Sequence, residues 1–185
     1  MDAASERMEA DGFAVVPEVI DDIQCDILAS QIMEMQDTGA GSRTLLMQPW
    51  CAELASSLRR HPVIGRLLPR DAAAVQCTLF DKSPAKNWLV SLHQDLSIPV
   101  RCRVENPDCS GWSEQEGQVY VQPPVSVLQQ LVAVRVHVDD CPAESGALRV
   151  VAKSHSQGGW IESGRRQFVY NTARQWYWSL GAERS

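Results

Sequence analysis

The chain has 185 residues, 44% hydrophobic and 22% charged, with a mean hydropathy of −0.22, which is the composition of one globular core and a single domain. A formal net charge of −6, a pI near 5.2 and scattered Lys and Arg exclude the basic stripe that nucleic-acid binding requires. No run approaches the roughly 18 apolar residues of a membrane span, and residues 1–11 are acidic without an apolar signal core, so a cytoplasmic protein with no membrane partner is expected.

In chain order, Phe13 to Val16 reads as a short opening strand stopped by Pro17. Ile20, Ile23, Ile27, Leu28 and Ile32 then recur at helical spacing, with Asp21 or Asp22 as the cap and Gly39-Ala40-Gly41 as the stop. Trp50 to Arg60, with Leu54 and Leu58 four apart, predicts a second helix, and Pro62 to Leu68 gives another turn or two before Pro69. From Val75 the texture turns to β: Val75 to Phe80, then Trp88 to His93 across a turn-rich stretch, then Ser97 to Val104. Glu105 to Gly117 reads as a polar loop and Pro123-Pro124 as a break. Leu131 to Val138 reads as a strand, Asp139 to Gly146 as a turn, and Ala147 to Val151 as a last strand. Helices first and short strands afterwards predict an α+β, mainly β fold, with the strands closing into a jelly roll or barrel.

The chemistry-bearing pattern is His-x-Asp, which occurs twice, as His93-Gln94-Asp95 and His137-Val138-Asp139. Two residues two apart on extended chain point the same way, so each pair offers one imidazole and one carboxylate to a common point. That donor set suits the two-His-one-carboxylate facial triad of non-haem Fe(II) enzymes, which leaves cis positions open for a cosubstrate and dioxygen. An ordinary imidazole–carboxylate surface pair has the same spacing. The six cysteines, at 25, 51, 77, 102, 109 and 141, contain no Cys-x-x-Cys and read as buried thiols. His61, His93, His137 and His155 show no zinc-hydrolase spacing, and no Gly-x-Ser-x-Gly elbow is present.

Three segments in order resemble the phytanoyl-CoA dioxygenase family: Asp11-Gly12-Phe13-Ala14-Val15-Val16; Leu79-Phe80-Asp81-Lys82 through Asn87-Trp88 to His93-Gln94-Asp95; and Gly146 to Val151 leading to Ser154-His155. The resemblance covers about residues 11–158. It implies a double-stranded β-helix (jelly roll, cupin-like) enzyme with N-terminal helices, holding Fe(II), decarboxylating 2-oxoglutarate and oxidising a small organic substrate with dioxygen. It selects His93 and Asp95 as the metal ligands and leaves His137 on a later core strand, facing the barrel interior or bonded to Asp139. Gln76, Thr78, Phe80 and Lys82 share one strand face, which by resemblance lines the cosubstrate site; Thr78 would contact 2-oxoglutarate and Lys82 would add a cation. Arg135, mid-strand among Val132, Val134 and Val136, needs an anion, either the cosubstrate carboxylate or a structural acid.

Ser154-His155 falls in a family turn normally written Pro-Gly-Ser-His, a structural turn in which Ala152-Lys153 here replaces Pro-Gly. Beyond His155 there is no further histidine, and Gly158 to Ser185 does not resemble the family stretch that carries the distal histidine and the arginine for 2-oxoglutarate. The C-terminal strands are therefore expected to be missing, the domain to be incomplete after about 158, and the activity of this chain to be in question. The alternative is a non-catalytic jelly-roll module that binds a small molecule, or an inactive truncated remnant.

Overall fold

The computed structural model describes residues 2–35, 43–82, 93–140, 148–156 and 178–183, the stretches 81–82 and 178–183 by their backbone. Contacts divide the chain into two compact units. Unit 1 draws on residues 1–14, 92–133 and 150–176, and unit 2 on residues 15–91, 134–149 and 177–185.

Unit 1 begins with helix α1 (Ala3–Asp11), which the sequence pattern does not announce because none of its residues is buried. Caps form it instead. Asp2 accepts from the Ser5 backbone N–H at 2.9 Å, and Gly12, at φ +83°, closes the other end by donating to the Met8 carbonyl. Strands β2 (Ile98–Val100), β3 (Ser110–Gln115) and β4 (Gln118–Gln122) make an antiparallel sheet in the order β2-β4-β3. The central strand buries Tyr120 and Val121, while β3 is solvated along almost its whole length. This solvation explains why Glu105 to Gly117 reads as a loop: an edge strand wet on both faces has no apolar alternation. Its turn is a two-residue hairpin in which Glu116 (φ 53°) and Gly117 (φ 75°) both take positive φ, the type I′ geometry that suits strand twist. A short helix, α5 (Val125–Leu128), follows the Pro123-Pro124 break.

Unit 2 carries α2 (Asp22–Glu34), α3 (Pro49–Arg60) and α4 (Ile64–Leu67). Asp21 and Gln24 form the reciprocal capping box of α2, as its Asp-rich start anticipates. Helix α3 starts on Pro49, ends on Arg59-Arg60 and buries Cys51, Leu54, Ala55 and Leu58, the spacing of one helical face. Strands β1 (Cys77–Lys82), β5 (Val134–His137) and β6 (Trp178–Glu183) form a parallel sheet with β6 in the centre. Cys77, Leu79 and Val136 point to its buried face. Strand β6 lies beyond residue 158, in the stretch whose sequence does not resemble the family's C-terminal strands, and pairs with the edges of β1 and β5.

Other expectations also shift. Phe13 to Val16 and Leu148 to Val151 lie in no sheet, and Val15, Leu148, Val150 and Val151 are exposed, since an apolar run is a strand only where a partner edge meets it. Trp88 to Leu92, the stop at Gly39 to Gly41 and most of the turn at Asp139 to Gly146 lie outside the described residues. Helices with one parallel and one antiparallel three-stranded sheet agree with the α+β class; the jelly-roll closure rests on the family resemblance.

Candidate functional site

In unit 1, His93 and Asp95 stand on an irregular stretch, residues 93–97, immediately before β2; the rest of the strand expected to end at His93, Trp88 to Leu92, lies outside the described residues. The extended spacing still brings the two side chains together: His93 Nε2 lies 3.6 Å from Asp95 Oδ1. Two cis ligands with bonds of about 2.1 Å to an octahedral ion stand about 3 Å apart, so a small adjustment seats both on one cation. The side chains are 54% and 53% exposed. Crowding by neighbouring atoms raises the Asp95 carboxyl above its ordinary range, and the attraction of His93 opposes this. The Oε1 of intervening Gln94 is buried without a hydrogen-bond partner among the described residues. Pairing of β2 with β4, from Ile98 opposite Val121 to Val100 opposite Val119, anchors the chain just after the pair.

Unit 2 holds the other residues singled out by sequence. Thr78 pairs in register with Ser179, and Ser179 with Arg135, so Thr78 and Arg135 occupy one row of the sheet with one strand between them, about 10 Å of backbone separation. Phe80 and His137 share the row two positions further on, through Gly181. Thr78, Arg135 and His137 therefore share one sheet face, opposite the face of Cys77, Leu79 and Val136. His137 is exposed on it, which corrects the first of its two expected placements, in a barrel interior, and leaves the second, a bond to Asp139, standing: the apolar positions of β5, not the histidine, point to the core. Lys82 ends β1 at the position that continues the Thr78 face, and its side chain lies outside the described residues. Gln76, placed by sequence on the same face, is buried at 5% exposure and donates from Nε2 to Thr78 Oγ1 at 2.8 Å. Its place on the Thr78 face was legible from the two-residue period, and its burial was not.

His155 occupies a structural position, as its motif implies. Its Nε2–H donates to the Glu9 carbonyl at 2.9 Å, since a carbonyl can only accept, and the Lys153 backbone N–H donates to the Asp11 carbonyl at 2.8 Å. The ring packs so closely on Gly12 that a Cβ there would lie 2.4 Å from His155 Nδ1. Two of the three segments that carry the family resemblance thus meet at the end of α1.

A model of the family described as phytanoyl-CoA dioxygenase (PhyH) matches residues 8–178. The chain belongs to the phytanoyl-CoA dioxygenase family. The matched span runs past residue 158, where the three resembling segments end, and reaches the first residue of β6. No curated protein and no solved structure matches the chain. Members of the phytanoyl-CoA dioxygenase family are generally oxygenases that depend on Fe(II) and 2-oxoglutarate.

His93 and Asp95 fit such an ion in chemistry and in separation, one neutral nitrogen donor and one anionic oxygen donor. Among the described residues they are not joined by a third His, Cys, Asp or Glu in a cluster able to hold a metal. No helix among the described residues is long and apolar enough to cross a membrane.

Proposed function

We propose that this chain is an Fe(II)- and 2-oxoglutarate-dependent dioxygenase that oxidises, most simply by hydroxylation, a small organic substrate. In this reading His93 and Asp95 hold the metal, Thr78, Lys82 and Arg135 engage the cosubstrate, and the family's jelly roll is the parent fold. The supporting observation is the 3.6 Å approach of His93 Nε2 to Asp95 Oδ1 in a chain matched to the phytanoyl-CoA dioxygenase family over residues 8–178.

When bound, Fe(II) supplies the redox centre at which oxidative decarboxylation of 2-oxoglutarate to succinate and carbon dioxide is coupled to oxidation of the substrate by dioxygen. The protein's own residues prepare for this. His93 offers the lone pair of Nε2 in its neutral form, and Asp95 offers an ionised oxygen whose charge offsets half that of a divalent ion, leaving a centre that still attracts an anionic keto acid. Arg135 supplies the planar fork that matches a carboxylate with two parallel hydrogen bonds, and Thr78 supplies a hydroxyl. Lys82 adds a compact positive charge from the end of β1.

Anaerobic titration with Fe(II), followed by assay of succinate released from 2-oxoglutarate in air, tests the assignment. The parent chain takes up one equivalent of iron, while His93→Ala and Asp95→Ala each weaken uptake by more than about 100-fold, beyond the loss ordinarily seen when only an outer partner of a ligand is removed. Iron uptake unchanged in both variants rules out these ligands. Iron uptake without succinate release leaves a metal-binding module in place of the oxygenase.

A further inference from the structure

The sheet face that carries Thr78 holds a buried polar side chain to which the functional reading gives no work. Gln76 precedes β1 by one residue and Thr78 by two, so both side chains leave the same face. Gln76 is 5% exposed and Thr78 8%. The amide Nε2 of Gln76 donates to Thr78 Oγ1 at 2.8 Å, and its Oε1 is buried with no hydrogen-bond partner among the described residues. A buried amide oxygen left unpaired is disfavoured, and any aliphatic residue of similar size would avoid the penalty.

The direction of the hydrogen bond has a chemical consequence. A threonine hydroxyl has one proton, and with a lone pair of Oγ1 engaged by the Gln76 amide, that proton is turned away from Gln76 towards a different acceptor. The proton meets no acceptor among the described residues. Arg135 stands in the same row of the sheet, registered through Ser179, which adds positive charge to the face onto which the hydroxyl is aimed. The unpaired Oε1 carries partial negative charge and disfavours an anionic oxygen on its own side of the row.

We propose that Gln76 is a positioning residue for cosubstrate binding: by donating to Thr78 it aims the Thr78 hydroxyl proton at a carboxylate oxygen of 2-oxoglutarate, and its Oε1 confines that carboxylate to the Thr78 and Arg135 side of the sheet. The inference rests on reading Thr78 as a cosubstrate residue and adds a residue that acts through it.

The test is a double-mutant cycle read as affinity. 2-Oxoglutarate is titrated calorimetrically into the full chain loaded with Fe(II), without oxygen or primary substrate, for the parent, Gln76→Leu, Thr78→Val and the double variant, each checked for folding by circular dichroism. Gln76→Leu and Thr78→Val each weaken binding by about 10-fold, and the double variant by about the same 10-fold rather than about 100-fold, since removing the hydroxyl leaves Gln76 nothing to aim. In a Thr78→Ser background, which keeps the hydroxyl, Gln76→Leu again weakens binding by about 10-fold. Gln76→Glu, acceptor only and anionic, captures the Thr78 proton and weakens binding further; it carries the same cycle should the leucine variant fail to fold. Losses that multiply in the double variant, or a Gln76 variant that binds like the parent, overturn the positioning role and leave the cosubstrate reading standing. A parent chain that binds no 2-oxoglutarate overturns both.

Discussion

Lys153 shows how one side chain sits against the backbone it must adopt. Its φ is +64°, a left-handed conformation, at the position where the family turn ordinarily has glycine. A non-glycine residue there carries about 1–2 kcal/mol of strain, partly offset by the greater freedom glycine has in the unfolded chain. Lys153→Gly is accordingly expected to raise stability by up to about 1 kcal/mol, seen as a higher urea midpoint at unchanged slope. The cysteines offer a second prediction. Partial burial, with Asp22, Asp26, Asp21 and Asp139 nearby, raises the Cys25 thiol above its ordinary range, whereas Cys102 is exposed. A raised pKa means less thiolate at a given pH, so Cys25 is alkylated more slowly than Cys102 at neutral pH. Its rate continues to climb above about pH 8.5, where an ordinary thiol is already half ionised. Equal rates and parallel pH profiles in a mass-resolved labelling experiment would contradict this. Cys51 and Cys77, buried against one another with the Cys77 thiol pushed up by the neighbouring sulfur and by burial, stay unlabelled until the protein unfolds.

At the scale of elements, α1 is held by its caps and by the 3₁₀ turn Ser154–Ser156 of the same unit, since it buries none of its own residues. Three contacts converge on its end: His155 on the Glu9 carbonyl, the Lys153 N–H on the Asp11 carbonyl, and the His155 ring on Gly12. Gly12 answers two demands at once, a φ of +83° and the absence of a Cβ. Gly12→Ala violates both and is expected to destabilise the protein by about 2 kcal/mol or more. In hydrogen exchange the loss would be seen first as weakened protection of the amides of α1, and a variant whose α1 amides exchange like the parent's would show that the helix does not depend on this contact. Helix α3 is the opposite case, since its burial of Cys51, Leu54, Ala55 and Leu58 was legible as spacing in the sequence.

For the whole molecule, the expected signature of a metal site is thermodynamic linkage. An ion that binds the folded chain through His93 and Asp95 stabilises it by about 2.7 kcal/mol at a hundredfold excess over its dissociation constant. Addition of Fe(II) under anaerobic conditions therefore raises the Tm, a chelator reverses the shift, and His93→Ala abolishes it. A shift of equal size in His93→Ala would locate the ion elsewhere. The acidic balance of the chain, −6, favours cation uptake in general, so the variant rather than the shift itself carries the test.

From sequence alone came what depends on neighbours in the chain: a cap at Asp21 or Asp22, the period of α3, the β texture of Val75 to Phe80 and Leu131 to Val138, realised as strands over 77–82 and 134–137, and the His93 and Asp95 spacing that reappears as a 3.6 Å approach. The capping box and the two-residue period are local rules, and local rules survive without a tertiary fold. Tertiary structure alone decided which extended runs became strands. Ala147 to Val151 reads as β, yet its described part, Leu148 to Val151, lies in no sheet, while Trp178 to Glu183, to which the sequence reading assigns no element, forms the centre of a parallel sheet between β1 and β5. The same pairing put Thr78 and Arg135, 57 positions apart in the chain, in one row through Ser179. Register between distant strands is set by backbone partners that lie far away in sequence, and no periodicity within a single segment encodes it.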